Sequence, residues 1–199
     1  MQFKIKNTIV TISFTYLALI LVLISLNKTE FLYSTLIFAM LHEAGHILAL
    51  KYFKIKIIEF KLSLFGANIK TENYNSINNF QSAIISFCGP LVNLVFFLLF
   101  LIFNIYFEKH LFFEFSLVNF VLAFFNLLPF YSFDGGKILS SLLNNYFSDI
   151  TSNKVITLVS IIILIPFSYF AFKVFIADYK NFYLLIASLL MLLTIIFKK

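Results

Sequence analysis

The sequence predicts an all-α polytopic membrane protein with about six transmembrane helices and a small amphipathic β-hairpin between the second and third helices. Hydrophobic residues make up 61% of the 199 residues and charged residues only 12%, whereas a soluble domain carries about 25% charged residues. Runs without charge recur along the chain, and each is about long enough to supply the roughly 20 residues that a helix needs to cross a bilayer. Because backbone groups in hydrocarbon must pair within their own segment, each run is expected to be helical.

Six apolar runs account for the expected helices. The first follows Lys4 and Lys6, as a signal peptide would, but it lacks a small-residue cleavage site, and we interpret it as a retained helix. The second is interrupted only by His42, Glu43 and His46. The runs comprise residues 7–27, 31–50, 73–107, 115–133, 155–172 and 181–197. This spacing predicts one membrane-embedded domain over residues 1–199, with no room for a second soluble domain.

The lysines predict the orientation of the chain in the membrane. The formal net charge is +6, and none of the basic residues is Arg. With the N terminus inside, eleven lysines fall on one side and four on the other, as the positive-inside rule requires. Both termini are therefore expected in the cytoplasm of a cell that the Phe-, Ile-, Asn- and Lys-rich composition indicates to be bacterial. Because readout of nucleic acids relies largely on Arg, no nucleic-acid partner is expected.

One short segment departs from the helical pattern. Over residues 54–69, apolar residues such as Phe60 and Leu62 alternate with polar ones such as Lys61. A period of two predicts a strand, and Gly66-Ala67-Asn68 supplies a turn signal. We therefore expect an amphipathic hairpin at the cytoplasmic surface.

The second apolar run contains His42-Glu43-Ala44-Gly45-His46. Residues i and i+4 of a helix share one face, so the two imidazoles point to the same place. The H-E-x-x-H arrangement supplies two zinc ligands and a glutamate that can deprotonate water. The alternative is that these polar side chains satisfy one another in a bundle core. Ionisable groups within a membrane helix are costly and by default functional, which favours the metal site.

Asp134 is the best candidate for the third ligand that a catalytic zinc needs. It follows Pro129, which should interrupt the fourth helix, and it precedes Gly135, which permits a tight backbone path. The predicted topology also puts Asp134 at the same membrane depth as the histidines. A role as helix N-cap is an alternative that does not exclude ligation. The less suitable carboxylates are Glu59, Glu114, Asp149 and Asp178.

The third long run contains Gly89-Pro90 followed by Asn93. The plain interpretation is a kink with close helix packing. The functional interpretation is that Asn93, or Asn126 in the fourth run, hydrogen-bonds substrate or orients a ligand. An unpaired Asn in hydrocarbon is unfavourable, so each needs a partner, and the two asparagines could pair with each other.

Three motifs together resemble a known family. HEAGH in the second run, GPLVN in the third and NLLPFYSFDGG at the end of the fourth are similar to the site-2 protease family of intramembrane zinc metalloproteases. Within that family they most resemble the small bacterial branch that includes the sporulation protease processing a pro-sigma factor. The resemblance implies one Zn²⁺ per chain and an active site that the remaining motif residues line. It implies His42, His46 and Asp134 as ligands, Glu43 as catalytic base, and Asn93, Asn126, Gly89, Pro90, Pro129 and Gly135 as lining residues.

The expected function is therefore that of a zinc metalloendopeptidase that cleaves a peptide bond within or near a transmembrane segment of a membrane-associated protein. Relatives often carry a PDZ or CBS domain, and no PDZ or CBS domain is expected in this sequence. Regulation is therefore expected to be absent or to come from a membrane partner. Two alternatives remain: a non-proteolytic membrane metal-binding or transport protein, and a catalytically inactive membrane chaperone. Glu43 separates the protease from the metal-binding or transport protein, because the latter does not require a general base. The complete ligand set argues against an inactive chaperone, which would be free to lose Glu43 or Asp134.

Overall fold

The structure is a computed structural model that describes residues 2–5, 8–12, 29–63, 66–72, 77–179 and 181–196. The chain divides into two compact units, Met1–Phe125 and Asn126–Lys199. The described part is mostly helical, and its six helices with a small β-hairpin confirm the predicted fold class. The single membrane-embedded domain expected over residues 1–199 stays a prediction.

The first unit contains the described strands and three of the helices. In chain order they are β1 (Gln2–Ile5), β2 (Thr8–Ile12), α1 (Thr29–Tyr52), β3 (Ile57–Ser63), β4 (Gly66–Thr71), α2 (Asn79–Phe107) and α3 (His110–Leu127). The last two residues of α3 belong to the second unit. The other helices of the second unit are α4 (Asp134–Leu143), α5 (Asp149–Ala177) and α6 (Tyr183–Ile196).

Three of the described helices, α2, α3 and α5, are long and apolar enough to cross a membrane. The helix α6 is also apolar but has only 14 residues. The long α2 begins with a capping box, in which Asn78 accepts from the backbone of Gln81 while the Gln81 side chain accepts from the backbone of Asn78. These helices are those of a multi-pass membrane protein.

The four strands form one sheet in the order β1-β2-β3-β4. The pair β3–β4 is antiparallel and confirms the hairpin predicted after the histidine-bearing helix. The predicted turn position is wrong, because Gly66 already pairs with Ser63 and Asn68 with Lys61 inside the ladder. Gly and Asn favour turns, but pairing with a neighbouring strand outweighs that local preference.

The N-terminal strands correct the prediction of a helix over residues 7–27. Residues 8–12 form β2, which pairs with β1 antiparallel and with β3 in parallel. Thr8–Ile12 is β-branched throughout, and such side chains favour strands over helices. Hydrophobicity alone does not show whether a short apolar run forms a strand or a helix. The rest of the predicted first helix, from residue 13 onward, lies outside the described residues.

Helices α1 and α2 approach each other closely at Gly45. A Cβ added to Gly45 of α1 would lie 2.6 Å from the carbonyl oxygen of Cys88 and 2.9 Å from Val92 Cγ2 on α2. Only a residue without a side chain allows this backbone distance. The close approach brings the face of α1 that carries the histidines directly onto α2.

Phenylalanine side chains join the three helices of the first unit. The ring centroid of Phe38 on α1 lies 5.7 Å from that of Phe96 and 5.5 Å from that of Phe100, both on α2. It lies 5.6 Å from the ring centroid of Phe115 on α3. Such tilted and edge-to-face pairs contribute about 0.5–1.5 kcal/mol each beyond burial of their area. The cluster lies one helical turn from His42 and holds the three helices at that level.

Candidate metal centre

The two histidines of the H-E-x-x-H motif face each other on α1. His42 and His46 are one turn apart, and both are buried, at 5% and 7% exposure. Their Nε2 atoms lie 3.2 Å apart. The predicted convergence of the two imidazoles is therefore present in the structure.

The Nδ1 atoms of both rings are held by oxygen acceptors on α2. His42 Nδ1 lies 2.6 Å from Asn93 Oδ1, and His46 Nδ1 lies 2.7 Å from the carbonyl oxygen of Ile85. A carbonyl oxygen only accepts, so each Nδ1 donates a proton, and in a neutral ring Nε2 then carries a lone pair. Two lone pairs that face each other at 3.2 Å repel, and a cation between them removes that repulsion. Metal-binding histidines are oriented by the same kind of second hydrogen bond.

The spacing and the surroundings of this pair fit a zinc ion. Two Zn–N bonds of about 2.05 Å that diverge at the tetrahedral angle would place the nitrogens about 3.4 Å apart, close to the observed 3.2 Å. Gly89 on α2 provides space beside the rings, because a Cβ there would lie 2.7 Å from His42 Nε2 and collide with His46 Nε2. Pro90, also buried, follows it in α2. Gly89 thus leaves room for the two imidazole nitrogens, and its role in lining an active site stays a prediction.

A chain of amides extends behind His42. Asn93 Nδ2 donates to Asn119 Oδ1 over 2.9 Å, and Asn119 Nδ2 donates to the carbonyl oxygen of Phe115 over 2.9 Å. Asn93 and Asn119 are fully buried. The prediction that Asn93 orients a ligand therefore has a geometric basis, and Asn119 is a residue that the sequence analysis missed. Its signal was an amide side chain within an apolar helix, where the lack of a hydrogen-bond partner would be costly.

In the second unit, Asp134 lies where the chain begins α4 and packs closely against neighbouring backbone. Helix α3 ends at Leu127, two residues before Pro129, as the predicted helix interruption requires. Asp134 is the first residue of α4 and is 4% exposed, while the N-cap position belongs to Phe133. The alternative of Asp134 as N-cap is therefore wrong. Lys137 Nζ lies 3.0 Å from Asp134 Oδ1, one turn further along α4.

The glycines after Asp134 permit this setting. A Cβ on Gly135 would collide with the carbonyl oxygen of Leu127 and lie 2.6 Å from that of Leu128. Ser160 on α5 donates to the carbonyl oxygen of Pro129 over 2.8 Å and so fixes the segment between α3 and α4. The start of α4 is thus packed against backbone, where a side chain in place of Gly135 could not be accommodated.

The remaining candidate residues occupy other positions. Glu43 is half-buried on α1 beside His42, and Asn126 is half-buried in the last turn of α3. Glu59 lies in β3, where Lys70 Nζ of β4 is 2.8 Å away and Thr11 of β2 donates to it over 3.4 Å. The hydrogen bond and charge of Lys70 lower the pKa of Glu59 below its usual value, and partial desolvation opposes them. Glu59 therefore links neighbouring strands of the sheet. The roles predicted for Glu43 and Asn126 stay predictions.

The fold is that of a multi-pass membrane protein, and its H-E-x-x-H histidine pair is a candidate metal site. The model of peptidase family M50 matches residues 105–167. A zinc metalloprotease of Methanocaldococcus jannaschii is 26% identical over 165 residues, covering 77% of this chain and 48% of the relative. The chain thus spans about half the length of that curated relative.

A solved site-2 protease from the same organism matches with a TM-score of 0.70 and 24% identity, over 98% of this chain and 93% of that one. The chain is therefore similar to peptidase family M50 over residues 105–167 and has the fold of a site-2 protease.

The family match and the histidine pair are separate observations. The matched residues 105–167 include the segment around Pro129 and Asp134, whereas His42 and His46 lie outside them. The solved structure shows a shared fold over nearly the whole chain. The histidine motif and the family model therefore agree without depending on the same residues.

Proposed function

We propose that the chain is a zinc metalloendopeptidase that cleaves a peptide bond within or near a transmembrane segment of a membrane-associated protein. One observation carries the proposal: two buried Nε2 atoms face each other at 3.2 Å, with both Nδ1 atoms held by oxygen acceptors. Donors of this kind and spacing are those of a zinc site. The similarity to a zinc metalloprotease of Methanocaldococcus jannaschii supports the same function.

Asp134 is proposed as the third protein ligand. Like His42 and His46, it is buried and offers a ligand atom of a type that zinc accepts. A carboxylate buried at the start of a helix is stabilised by nearby cations, and Lys137 Nζ, 3.0 Å from Oδ1, is one of them. Two imidazoles, one carboxylate and an open position make a catalytic zinc site.

A bound zinc supplies Lewis acidity, which polarises a scissile carbonyl and makes water acidic. The chain supplies the proton transfers. Glu43 accepts a proton from the attacking water and then returns it to the leaving amine, the role of a general base that becomes a general acid. Its place beside His42 on α1 follows from the motif itself.

A substrate helix must unwind locally before cleavage, because its carbonyl groups are engaged in hydrogen bonds. An unwound strand can pair with a sheet edge. Within the described sheet β3 has neighbours on both sides, so in the predicted hairpin the edge is β4. We propose that β4 holds the substrate extended near the site.

The proposed setting is the cell membrane, with both termini cytoplasmic and the active site in the cytoplasmic half of the bilayer. The lysine distribution supports this orientation. A bacterial source, a regulatory membrane partner and the absence of nucleic acid from its partners belong to the same proposal.

The substitution Glu43→Gln tests the proteolytic function. Because Gln cannot accept the proton of water, cleavage should fall by at least about 100-fold while zinc content stays the same. The probe is a purified transmembrane peptide with a fluorophore and a quencher on opposite sides of its helix. Glu72→Gln, which removes an exposed carboxylate paired with Lys56, is the matched control and should cleave normally. Cleavage by Glu43→Gln at the wild-type rate would contradict the proposal and favour a metal-binding protein.

A further inference from the structure

We propose that Asn119 is a positioning residue for the metal centre: by holding the amide of Asn93 in one orientation, it sets which nitrogen of His42 carries the proton. Asn119 lies on α3 and is fully buried. Its effect on zinc binding rests on the proposed function. The tautomer of His42, however, is a property of the metal-free chain and can be measured by itself.

The orientation of Asn93 decides whether His42 can bind a metal. The two ends of an amide are similar in size, and a flipped Asn93 would present Nδ2–H to His42 instead of Oδ1. His42 Nδ1 would then have to accept, and the proton of the neutral ring would move to Nε2. Nε2 would face His46 with a hydrogen and could not ligate. Some contact must therefore select one of the two orientations.

The selection comes from the far end of the amide chain. Asn119 Nδ2 donates to the carbonyl oxygen of Phe115, which can only accept, so Asn119 Oδ1 faces Asn93. Asn93 Nδ2 donates to that oxygen over 2.9 Å and, over a longer 3.4 Å, to the carbonyl oxygen of Phe38. Asn93 Oδ1 is left to face His42 at 2.6 Å. The shorter of the two contacts on Nδ2 is the one with Asn119.

The two ligand histidines differ in this respect. His46 Nδ1 donates to the backbone carbonyl of Ile85, with no side chain between. His42 depends on two amides, Asn93 and Asn119, both with 0% exposure. Because both amides are fully buried, water cannot readily enter and take over a hydrogen bond that one of them has lost. A change at Asn119 should alter the tautomer of His42 and leave that of His46 as it is.

The experiment is nitrogen NMR of the full chain, labelled with ¹⁵N at histidine, stripped of metal by a chelator and held at mildly alkaline pH. Ring nitrogens with and without a proton have well-separated shifts, and the chain has only three histidines. In the wild type, His42 and His46 should both carry the proton on Nδ1. Asn119→Leu, of similar size but without an acceptor, should shift His42 toward the Nε2–H form. Its zinc dissociation constant should rise about 10–100-fold.

Three further variants separate positioning from packing. Ser116→Ala removes another buried polar group of α3, whose hydroxyl donates to the carbonyl of Phe113, and should leave both tautomers unchanged. Asn119→Asp keeps an acceptor for Asn93 Nδ2 and should retain the wild-type tautomer and zinc affinity. Asn119→Ala should reproduce the effect of Leu without the risk of a clash.

A folded Asn119→Leu or Asn119→Ala protein with His42 still protonated on Nδ1 and with wild-type zinc affinity would overturn the proposal. So would a wild-type His42 protonated on Nε2. A wild type that shows the expected tautomers but binds no zinc would contradict the proposed function instead, while the role of Asn119 in setting the tautomer would stand.

Discussion

At the scale of single residues, oxygen acceptors on α2 decide what the two imidazoles can do. Each Nδ1 meets an oxygen, from the backbone at Ile85 and from the amide at Asn93, and this leaves each Nε2 with a lone pair. Gly89 then provides the volume beside those atoms. The capacity to hold a cation therefore depends as much on three residues of α2 as on the histidines themselves.

Gly89→Ala should weaken metal binding while the helices remain folded. The added Cβ would lie 2.7 Å from His42 Nε2 and collide with His46, at a cost of about 1–3 kcal/mol for overpacking. Zinc affinity, measured by competition with a chromogenic chelator, should fall at least about tenfold. Cys88→Ala, a substitution at the preceding residue, should bind zinc normally. Wild-type affinity in Gly89→Ala would show that the rings do not hold metal in this place.

The sequence predicts the ligand histidines but not their support. The i, i+4 spacing of His42 and His46 determines their convergence on any helix. The role of Asn119 depends on which residues of α3 face α2, and that follows from helix packing, which one sequence does not specify. The amide chain through Asn93 and Asn119 is therefore a property of the packed helices and not of any single segment.

At the scale of elements, apolar runs predicted the long helices well and the N-terminal segment poorly. A run of 29 residues such as α2 is too long for a strand, so its apolar character is sufficient. Residues 8–12 are also apolar, but their β-branched side chains and their pairing with β3 make them a strand. The partner strand lies about 50 residues away in sequence, and the local pattern contains no information about it.

The ion pair between Glu59 on β3 and Lys70 on β4 can be tested through the pKa of Glu59. Because Lys70 lowers the pKa of Glu59, the ionised carboxylate stabilises the fold above the unfolded-state pKa of about 4.5, and this stabilisation is lost as pH falls through the lower folded-state value. In Lys70→Met the pKa of Glu59, followed by carboxyl ¹³C NMR, should rise toward 4.5. Lys56→Met, which removes the partner of Glu72, should leave the pKa of Glu59 in place. An unchanged pKa in Lys70→Met would show that the Glu59–Lys70 pair does not persist in solution.

At the scale of the whole molecule, composition alone predicted a multi-pass membrane protein, and the fold of a site-2 protease matches over 98% of the chain. Three motifs on successive apolar runs indicate the same family, because metal-binding and backbone-bending residues are rare in such runs and easily recognised there. The sequence does not contain the identity of the substrate, because that depends on a surface that a second molecule must fit.

One zinc ion held by His42, His46 and Asp134 is the centre of the proposed chemistry, and the metal content of purified protein tests it most directly. Elemental mass spectrometry should find about one zinc per chain in the wild type, as a single three-ligand site requires. Asp134→Ala should lose most of that zinc. Asp149→Ala, which removes an exposed carboxylate from the first turn of α5, should keep it. A wild type without zinc, or an Asp134→Ala variant with its full complement, would contradict a zinc centre with these three ligands.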